Sequence, residues 1–446
     1  MKKWFCLALA CLMVMGLCAC GAAQEEKTPV AGLQVGFAMA NITPDYSVPL
    51  QGGDYGKRWS EGVKDYCYAT CIAMKNGEET ALIFTIDIKL MTGVGDKNIK
   101  AAITQSTGIP ASNIFMNATH THSAPAIRYT WDGSFGYVTE FTNAVIAAAE
   151  EAVADLAPAT AAAGYTQTEG FAFIRHYIMN DGSVSGSNFG AESDVVNRKA
   201  HAQESDGQMG LVHFKREGKK DVILVNFGVH PTFNGDGGDK MISADFPSPL
   251  RDYVAEEMDA HVAYFTAAAG DQVRKSTLAG LSKVTDKNYV KYGELLGQCV
   301  IDALPTLTPI EGDSIRLINR DMTYATNKEN LDKRPDQLNG PFEATWIGIR
   351  SELGPTRTMT IRTLAVGNLG FVSAPYEMMA EQGKYIKENS PFPTTVIMTC
   401  GEGDNSYVAN IKGFEYNSYE SQVCFYARGV AEQAAKDLVS MLEELK

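Results

Sequence analysis

Short apolar runs alternate with amphipathic segments along the chain, and this alternation predicts a mixed α/β fold. The short runs are rich in β-branched and aromatic residues, which is typical of buried strands. They are LQVGFAMANI (33–42), ALIFTIDI (81–88), NIFMNAT (113–119), DVILVNFGV (221–229), HVAYFTAAA (261–269), RTLAVGNLGFVSA (362–374) and TTVIMTC (394–400). Helical periodicity marks 136–156, 288–304, 376–388 and 427–445. We therefore expect packed mixed β-sheets flanked by helices.

The first twenty residues have the pattern of an export signal. Lys2 and Lys3 precede the apolar stretch WFCLALACLMVMGL, which is of signal-peptide length and short for a membrane span. The stretch ends in LCAC, which resembles a bacterial lipoprotein cleavage box, and an ordinary secretory signal is the alternative. In the lipoprotein interpretation Cys20 is lipidated, residues 21–33 form a flexible tether, and the protein is anchored to the outer face of the bacterial cell membrane.

The size and charge of the chain limit which partners and which domain organisation it can have. The formal net charge of −14 becomes more negative when the signal with its two lysines is removed, so we expect no nucleic-acid partner. Residues 34–446 contain no linker and no internal repeat, which predicts one continuous globular domain. The five cysteines after Cys20 have neither zinc-ribbon nor disulfide-scaffold spacing.

Polar side chains follow five of the predicted strands, where each strand ends. In open α/β sheets ligands bind beyond the carboxyl ends of strands, so these side chains are expected at one edge of the fold. They are His120 and His122 in THTHS, His230 in VHP, Asp271 in GDQ, Glu377 in APYE and Tyr407 in GEGDNSY.

These residue types predict a metal site. The chain has only seven histidines, and two of them lie two positions apart in THTH. An i, i+2 spacing places both rings on one face of an extended segment. Two imidazoles from different strands plus a carboxylate form the ligand set of a catalytic zinc site, which keeps one position open for water. The bound metal lowers the pKa of that water to about 7. A pair of histidines that only bond to each other in a loop is the alternative.

The chain as a whole resembles the catalytic domain of neutral, non-lysosomal ceramidases and their bacterial relatives. The similar stretches run through nearly all of the mature chain and include VGFAMANITP, NATHTHSAP, FIRHYIMNDG, VNFGVHPTF, ISADFP, AAAGDQ, SAPYE and YVANIKGFEYNSYE. The resemblance implies a single α/β catalytic domain on packed sheets. It also implies zinc-dependent hydrolysis of the amide bond between a fatty acid and a sphingoid base, so the expected partner is a small-molecule or lipid amide substrate.

The resemblance also implies the zinc ligands. His120 matches the first zinc-binding histidine of the family and His230 the second. Glu377 lies at the position of the family's zinc-binding glutamate, and Tyr407 aligns with its zinc-contacting tyrosine. Because a phenol has an unperturbed pKa near 10, the tyrosine contact is either weak or activated by the metal. An aromatic wall residue is the alternative role for Tyr407.

Further positions are expected to act around the metal. His122 would shuttle a proton or hold the oxyanion. Arg175, in FIRHY, matches an arginine of the family's active site, and its neighbour His176 is expected to point away from it. Asp271 and Asp245 are expected to orient a ligand histidine.

The sequence departs from the family at the expected nucleophile. Ceramidases continue GD with one residue, then serine and PN, whereas this chain reads GDQVRKST. Val273 therefore replaces the serine, and Ser276 lies three residues further on. Tyr376 also replaces a glycine next to Glu377. A metal-bound hydroxide requires no serine, so hydrolysis of an amide or related acyl bond stays the leading hypothesis.

Two other function classes fit part of the sequence. A pseudoenzyme would keep the metal and lack turnover, as the change at Val273 allows. A solute-binding lipoprotein of an importer would share the lipid anchor and the α/β composition, and it would need two lobes joined by a hinge.

Overall fold

The computed structural model describes residues 32–52, 58–127, 135–185, 196–235, 239–327, 354–403 and 406–446. The predicted signal (1–20) and nearly all of the tether (21–33) lie outside these residues. Within them, no helix is both long and apolar enough to cross a membrane.

The described strands fall into two main sheets and several two- or three-stranded pieces. In chain order they are β1 (Gln34–Asn41), β2 (Leu50–Gln51), β3 (Gly62–Val63), β4 (Tyr68–Asn76), β5 (Glu79–Ile86), β6 (Ile114–Ala118), β7 (Ala124–Pro125), β8 (Ala157–Gln167), β9 (Phe173–Ile174), β10 (Tyr177–Met179), β11 (Val184–Ser185), β12 (Arg198–His201), β13 (Gln208–Arg216), β14 (Val222–Phe227), β15 (Met241–Ile242), β16 (His261–Thr266), β17 (Gln272–Val273), β18 (Thr308–Pro309), β19 (Ile315–Ala325), β20 (Thr356–Val366), β21 (Leu369–Ala374), β22 (Glu377–Met378), β23 (Thr394–Thr399) and β24 (Tyr407–Val408).

The described helices are mostly amphipathic and lie outside the sheets. They are α1 (Gly93–Thr107), α2 (Phe135–Ala154), α3 (Pro247–Met258), α4 (Tyr289–Ala303), α5 (Ala380–Asn389), α6 (Ile411–Glu415), α7 (Tyr419–Val423) and α8 (Val430–Glu444), with short 3-10 turns at Ala111–Asn113 and Leu304–Thr306. The predicted helix at 376–388 begins later, at Ala380, because β22 pairs with β24 in parallel just before it.

The larger sheet has the strand order β16-β14-β13-β8-β1-β4-β5-β6, and β18 pairs with β8. Its two outermost pairs, β14–β16 and β5–β6, are parallel, and the pairs between them are antiparallel. All residues of β6 and β14 are buried. Strands covered on both faces are expected to be continuously apolar, which explains why both were recognisable in the sequence.

The smaller sheet has the order β19-β20-β21-β23, with β21 and β23 parallel. The apolar run 362–374 is therefore not one strand but two antiparallel ones, joined at Gly367 and Asn368. Gly367 has φ +55°, and a Cβ there would lie 2.3 Å from the carbonyl oxygen of Gly312. Only glycine fits this turn without displacing backbone.

The two sheets pack face to face, and helices cover both outer faces. Apolar side chains of the larger sheet, such as Phe37 and Phe265, share one buried cluster with Phe371 and Val396 of the smaller sheet. Helices α1 and α2 cover one part of the larger sheet and α3 and α4 cover another. Helices α5 and α8 cover the smaller sheet. The prediction of packed mixed sheets flanked by helices in a single domain is confirmed.

Candidate metal centre

Buried asparagines link the carboxyl ends of strands from both sheets. Asn117 of β6 donates through Nδ2 to the carbonyl oxygens of Thr266 in β16, at 2.9 Å, and of Thr399 in β23, at 3.1 Å. Asn226 of β14 donates in the same way to Phe265 and Ile397. Because backbone groups of both sheets are joined here, the segments that follow these strands leave from one edge of the molecule.

His120 follows β6 and is held by backbone carbonyls. Its backbone N–H donates to Ile88 over 3.0 Å, and its ring Nδ1 lies 2.7 Å from the carbonyl oxygen of Lys89. Since a carbonyl only accepts, Nδ1 carries the proton and Nε2 keeps its lone pair. The residue is 1% exposed and has φ +66°, a left-handed conformation.

His230 follows β14 and is oriented in a similar way. Its Nδ1 donates to the carbonyl oxygen of Ala269 over 2.6 Å, and its backbone N–H donates to Gln272 over 3.1 Å. The lone pair of its Nε2 is therefore also available, and the side chain is 2% exposed. Burial lowers the pKa of His230 more than the neighbouring Glu377 carboxylate raises it, so the neutral, metal-binding form is favoured.

Glu377 meets both histidines. Its Oε2 lies 3.2 Å from Nε2 of His120 and 3.4 Å from Nε2 of His230. Tyr407, which pairs with Glu377 across β22 and β24, places its hydroxyl 3.4 Å from Nε2 of His230. All four predicted metal residues are thus together.

These distances fit a shared ion. A tetrahedral zinc ion with bonds of about 2.0–2.1 Å separates its ligand atoms by about 3.3 Å. Nε2 of His120 and Oε2 of Glu377 are buried and make no regular hydrogen bond. Two buried polar atoms that face each other in this way are costly unless something else binds them.

His122 lies at the same centre. Its ring centroid is 5.1 Å from that of His120 and 5.8 Å from that of His230, and one ring nitrogen from each histidine fits within a 4.8 Å group. At 9% it is the most exposed of the three. Its backbone carbonyl accepts a hydrogen bond from Nη2 of Arg58 over 2.9 Å. His120 and His230 could therefore hold a metal together with either Glu377 or His122. Of the three histidines, His122 lies on the more accessible side.

Arg175 joins the centre through Tyr407. Its Nη2 lies 3.3 Å from the Tyr407 hydroxyl. The carboxylate of Glu420 accepts from Arg175, and it also binds Nε2 of His176 at 2.9 Å. The expectation that His176 points away is therefore wrong, because the chain bends after β9 and turns both side chains to Glu420. Glu420 ends the stretch YVANIKGFEYNSYE that resembles ceramidases, but the sequence analysis predicted no role for it.

The two aspartates have other partners than expected. Oδ1 of Asp271 accepts from the backbone N–H of Ala380 over 2.8 Å, at the start of α5, and Asp245 accepts from backbone N–H groups of Asn234 and Phe246. Neither carboxylate bonds to a ligand histidine in the described part of the chain. Carbonyls perform that task instead, and carbonyls leave no signal in a sequence.

In the segment after Asp271, neither Val273 nor Ser276 supplies a hydroxyl group to the metal centre. Val273 pairs with Phe173 between β17 and β9 and is buried. The hydroxyl of Ser276 lies 2.8 Å from Nε2 of His201, whose Nδ1 lies 2.6 Å from the carbonyl oxygen of Ile174. Ser276 and His201 thus bond to each other, and neither has a contact with His120, His230 or Glu377 among the described residues.

Comparison with known proteins supports the architecture. The chain matches no protein-family model and no curated protein. Two solved structures resemble it: neutral ceramidase from Pseudomonas aeruginosa, with TM-score 0.70 and 16% identity, and a ceramidase complexed with C2, with TM-score 0.71 and 15% identity. Each alignment covers 93% of this chain and 75% of the other. At such identity the similarity establishes the fold alone, and we conclude that this chain has the fold of the neutral ceramidases.

Proposed function

We propose that this protein is a zinc-dependent hydrolase of an amide (N-acyl) bond or a related acyl bond. The single observation that carries the proposal is the convergence of four buried residues, His120, His230, Glu377 and Tyr407. Oε2 of Glu377 lies 3.2 Å from Nε2 of His120 and 3.4 Å from Nε2 of His230, and the Tyr407 hydroxyl lies 3.4 Å from Nε2 of His230. The ceramidase fold supports the same reaction class, because the solved ceramidases share this architecture.

His120, His230 and Glu377 would hold the zinc ion, and Tyr407 would contact it. When bound, zinc polarises a carbonyl and lowers the pKa of a water molecule to about 7. Both histidines present Nε2 because Nδ1 is fixed by a carbonyl. The ligands are therefore oriented before the ion arrives, which reduces the entropic cost of binding.

The surrounding residues would handle charge and protons. His122 is the most exposed imidazole of the cluster and can accept or return a proton beside the reacting carbonyl. The guanidinium of Arg175 and the hydroxyl of Tyr407 lie 3.3 Å apart and can stabilise an oxyanion. With Val273 at the serine position, the nucleophile we propose is water. The proposed substrate is a small-molecule or lipid amide.

Metal content and hydrolysis test this proposal together. We expect about one zinc per purified chain by elemental analysis and turnover of at least one N-acyl lipid or N-acyl amino compound. His120→Ala and His230→Ala should each lose most of the zinc and the activity. His213→Ala is the matched control, because His213 lies outside the cluster. Its Nε2 is 2.8 Å from a carboxylate oxygen of Asp221. Full activity in metal-free protein would refute the proposal.

A pseudoenzyme is the second candidate, and the burial of Val273 together with the engagement of Ser276 by His201 favours it. It would bind zinc and hydrolyse nothing in the same screen. A solute-binding lipoprotein has less support, since the described residues share one core between two packed sheets and form no pair of lobes.

We also propose that the protein is anchored by lipid at Cys20, outside the cytoplasm. Two acyl chains suffice for stable attachment to a bilayer, whereas one is marginal. Cys20→Ser should move the protein from the membrane fraction to the soluble fraction. An unchanged distribution would leave the ordinary secretory signal as the better interpretation of residues 1–20.

A further inference from the structure

One buried carboxylate, that of Glu420, supports the edge of the centre that Tyr407 occupies. Glu420 lies in α7 and is 0% exposed. Its Oε1 accepts from Nε and Nη2 of Arg175, each at 2.5 Å, and its Oε2 lies 2.9 Å from Nε2 of His176. Two consecutive side chains from one segment are thus fixed by a single carboxylate from another.

Arg175 transmits this support to the centre. Its Nη2 contacts the hydroxyl of Tyr407 at 3.3 Å, and its guanidinium carbon lies 5.6 Å from the ring centroids of both Tyr407 and Tyr419. The Tyr407 hydroxyl in turn lies 3.4 Å from Nε2 of His230. Contacts therefore run without interruption from Glu420 through Arg175 and Tyr407 to a proposed zinc ligand.

Charge explains why this carboxylate is needed. Arg175 is 3% exposed, and an arginine keeps its charge in proteins. Weakening the charge pairing of a buried cation is strongly unfavourable, so neutralising Glu420 should displace the guanidinium or leave it costly in place. The planar guanidinium also bonds through a fixed set of N–H groups, so its position is set by how Glu420 holds it.

We propose that Glu420 is a positioning residue of the metal centre, which holds Arg175 against Tyr407 and thereby sets the place of the Tyr407 hydroxyl beside His230. His176 fixes the second oxygen of the same carboxylate and keeps it from rotating. This inference rests on the proposed function, because it concerns the residues around the bound ion. Among the described residues Glu420 makes its hydrogen bonds with Arg175 and His176 and none with the proposed ligand atoms, so its effect is transmitted by Arg175.

The full chain loaded with Co²⁺ in place of zinc provides a direct readout. The visible spectrum of bound cobalt responds to its ligands, so Glu420→Gln should change that spectrum while about one metal per chain is retained. We expect kcat to fall by about 10- to 100-fold with a smaller change in KM, the usual range for a partner of a metal ligand. An unchanged spectrum together with unchanged kcat would overturn the proposal.

The control variant removes a carboxylate from another buried arginine. Asp155→Asn removes the ion pair of Arg216, and among the described residues neither side chain contacts the metal cluster. It should lower thermal stability and leave the cobalt spectrum as in the unmodified protein. If Asp155→Asn and Glu420→Gln gave the same spectral change, the effect would be one of general stability and the proposal would fail.

A second pair of variants addresses the pathway and guards against misfolding of Glu420→Gln. Arg175→Lys keeps a cation for Glu420 but lacks the planar fork that reaches Tyr407, so it should reproduce the spectral change. In a Tyr407→Phe background, Glu420→Gln should have little further effect on kcat, whereas additive losses would contradict the pathway. Unmodified protein that binds no metal would refute the proposed function itself. If the unmodified protein binds metal and is active, but Glu420→Gln and Arg175→Lys change neither the cobalt spectrum nor kcat, this inference alone is refuted.

Discussion

At the scale of single residues, the centre depends on backbone positions that most side chains avoid. His120 has φ +66°, a region in which residues other than glycine pay a conformational cost. The cost is tolerated because Ile88 and Lys89 bind its backbone N–H and its ring with their carbonyl oxygens. This strained residue is also a proposed metal ligand. The strain therefore lies where the proposed function requires a fixed orientation of the histidine ring.

Gly235 lies against His122 so closely that alanine cannot be accommodated in place. A Cβ there would lie 2.2 Å from the Cβ of His122 and 2.4 Å from its carbonyl oxygen. Gly235→Ala should displace His122, lowering kcat by ~10- to 100-fold and the free energy of unfolding by about 1–3 kcal/mol. Zinc content should persist, because His120, His230 and Glu377 are untouched. Gly136→Ala, where a Cβ meets nothing within 4 Å, should leave kcat unchanged.

His176 should make stability depend on pH. Burial lowers its pKa, but Glu420 outweighs burial and the net pKa is raised above its usual value. The charged His176 therefore stabilises the fold fully below its unfolded pKa of about 6.5, and this contribution is lost as pH rises through the folded pKa. His176→Gln should reduce the free energy of unfolding more at pH 6 than at pH 9 in denaturant titrations. An equal loss at both pH values would contradict the assignment.

At the scale of elements, α1 is attached to the sheets by buried charges. Lys100 of α1, 3% exposed, lies 3.0 Å from Oδ1 of Asp96 and 3.2 Å from Oε2 of Glu402, and Arg362 of β20 also contacts Glu402. The helix, the smaller sheet and the segment after β23 therefore share one ionic cluster.

Removing the lysine from this cluster should be costly. Lys100→Met leaves Asp96 and Glu402 with less compensating charge, so the free energy of unfolding should fall by about 3 kcal/mol at pH 7. Burial outweighs Lys100 and raises the pKa of Asp96 to about 6, so at pH 5 Asp96 is largely neutral and the loss should be smaller. Lys97→Met, on the exposed side of the same helix, is the control and should change stability by less than about 0.5 kcal/mol. Equal losses in both variants would disprove the role of the cluster.

At the scale of the whole molecule, one apolar layer joins the two sheets. Phe371 of β21 is fully buried in this layer. Because both sheets contribute to a single core, Phe371→Ala should lower stability by about 3–5 kcal/mol while unfolding stays a single transition. Calorimetry tests this, with Leu281→Ala, which is 47% exposed, as the control. Two separate transitions would show that the sheets unfold independently.

The sequence predicted strands such as β6 and β14, which are buried on both faces, and missed two long strands that are only partly buried. β8, APATAAAGYTQ, is rich in alanine and alternates only weakly in burial, so its propensity does not indicate a strand. β19, IRLINRDMTYA, is largely half-exposed and carries few apolar residues in series. Helix α3 contains Pro247 and Pro249 in its first turn, where proline is tolerated but hides the helical pattern. Pairing and packing decide such elements, and neither can be read locally.

His120, His230, Glu377 and Tyr407 were predicted by their residue types and by their position after strands, and the resemblance to ceramidases added their individual roles and Arg175. Their supports were not predictable, because a carbonyl such as that of Lys89 or Ala269 exists at every residue. Glu420 was missed for a related reason: one glutamate among many gives no local sign that its partners lie some 245 positions earlier in the chain.

The sequence by itself determined the class of fold, the alternation of buried strands and helices, and the identity of the groups that could hold a metal, because these follow from side-chain chemistry and short-range periodicity. The tertiary structure alone decided which nitrogen each histidine presents and which carboxylate holds Arg175. It also decided where the segment after Asp271 lies, in which Val273 occupies the position of the family's serine. These properties depend on distances between atoms far apart in the chain, which are set only when both sheets and their helices have packed.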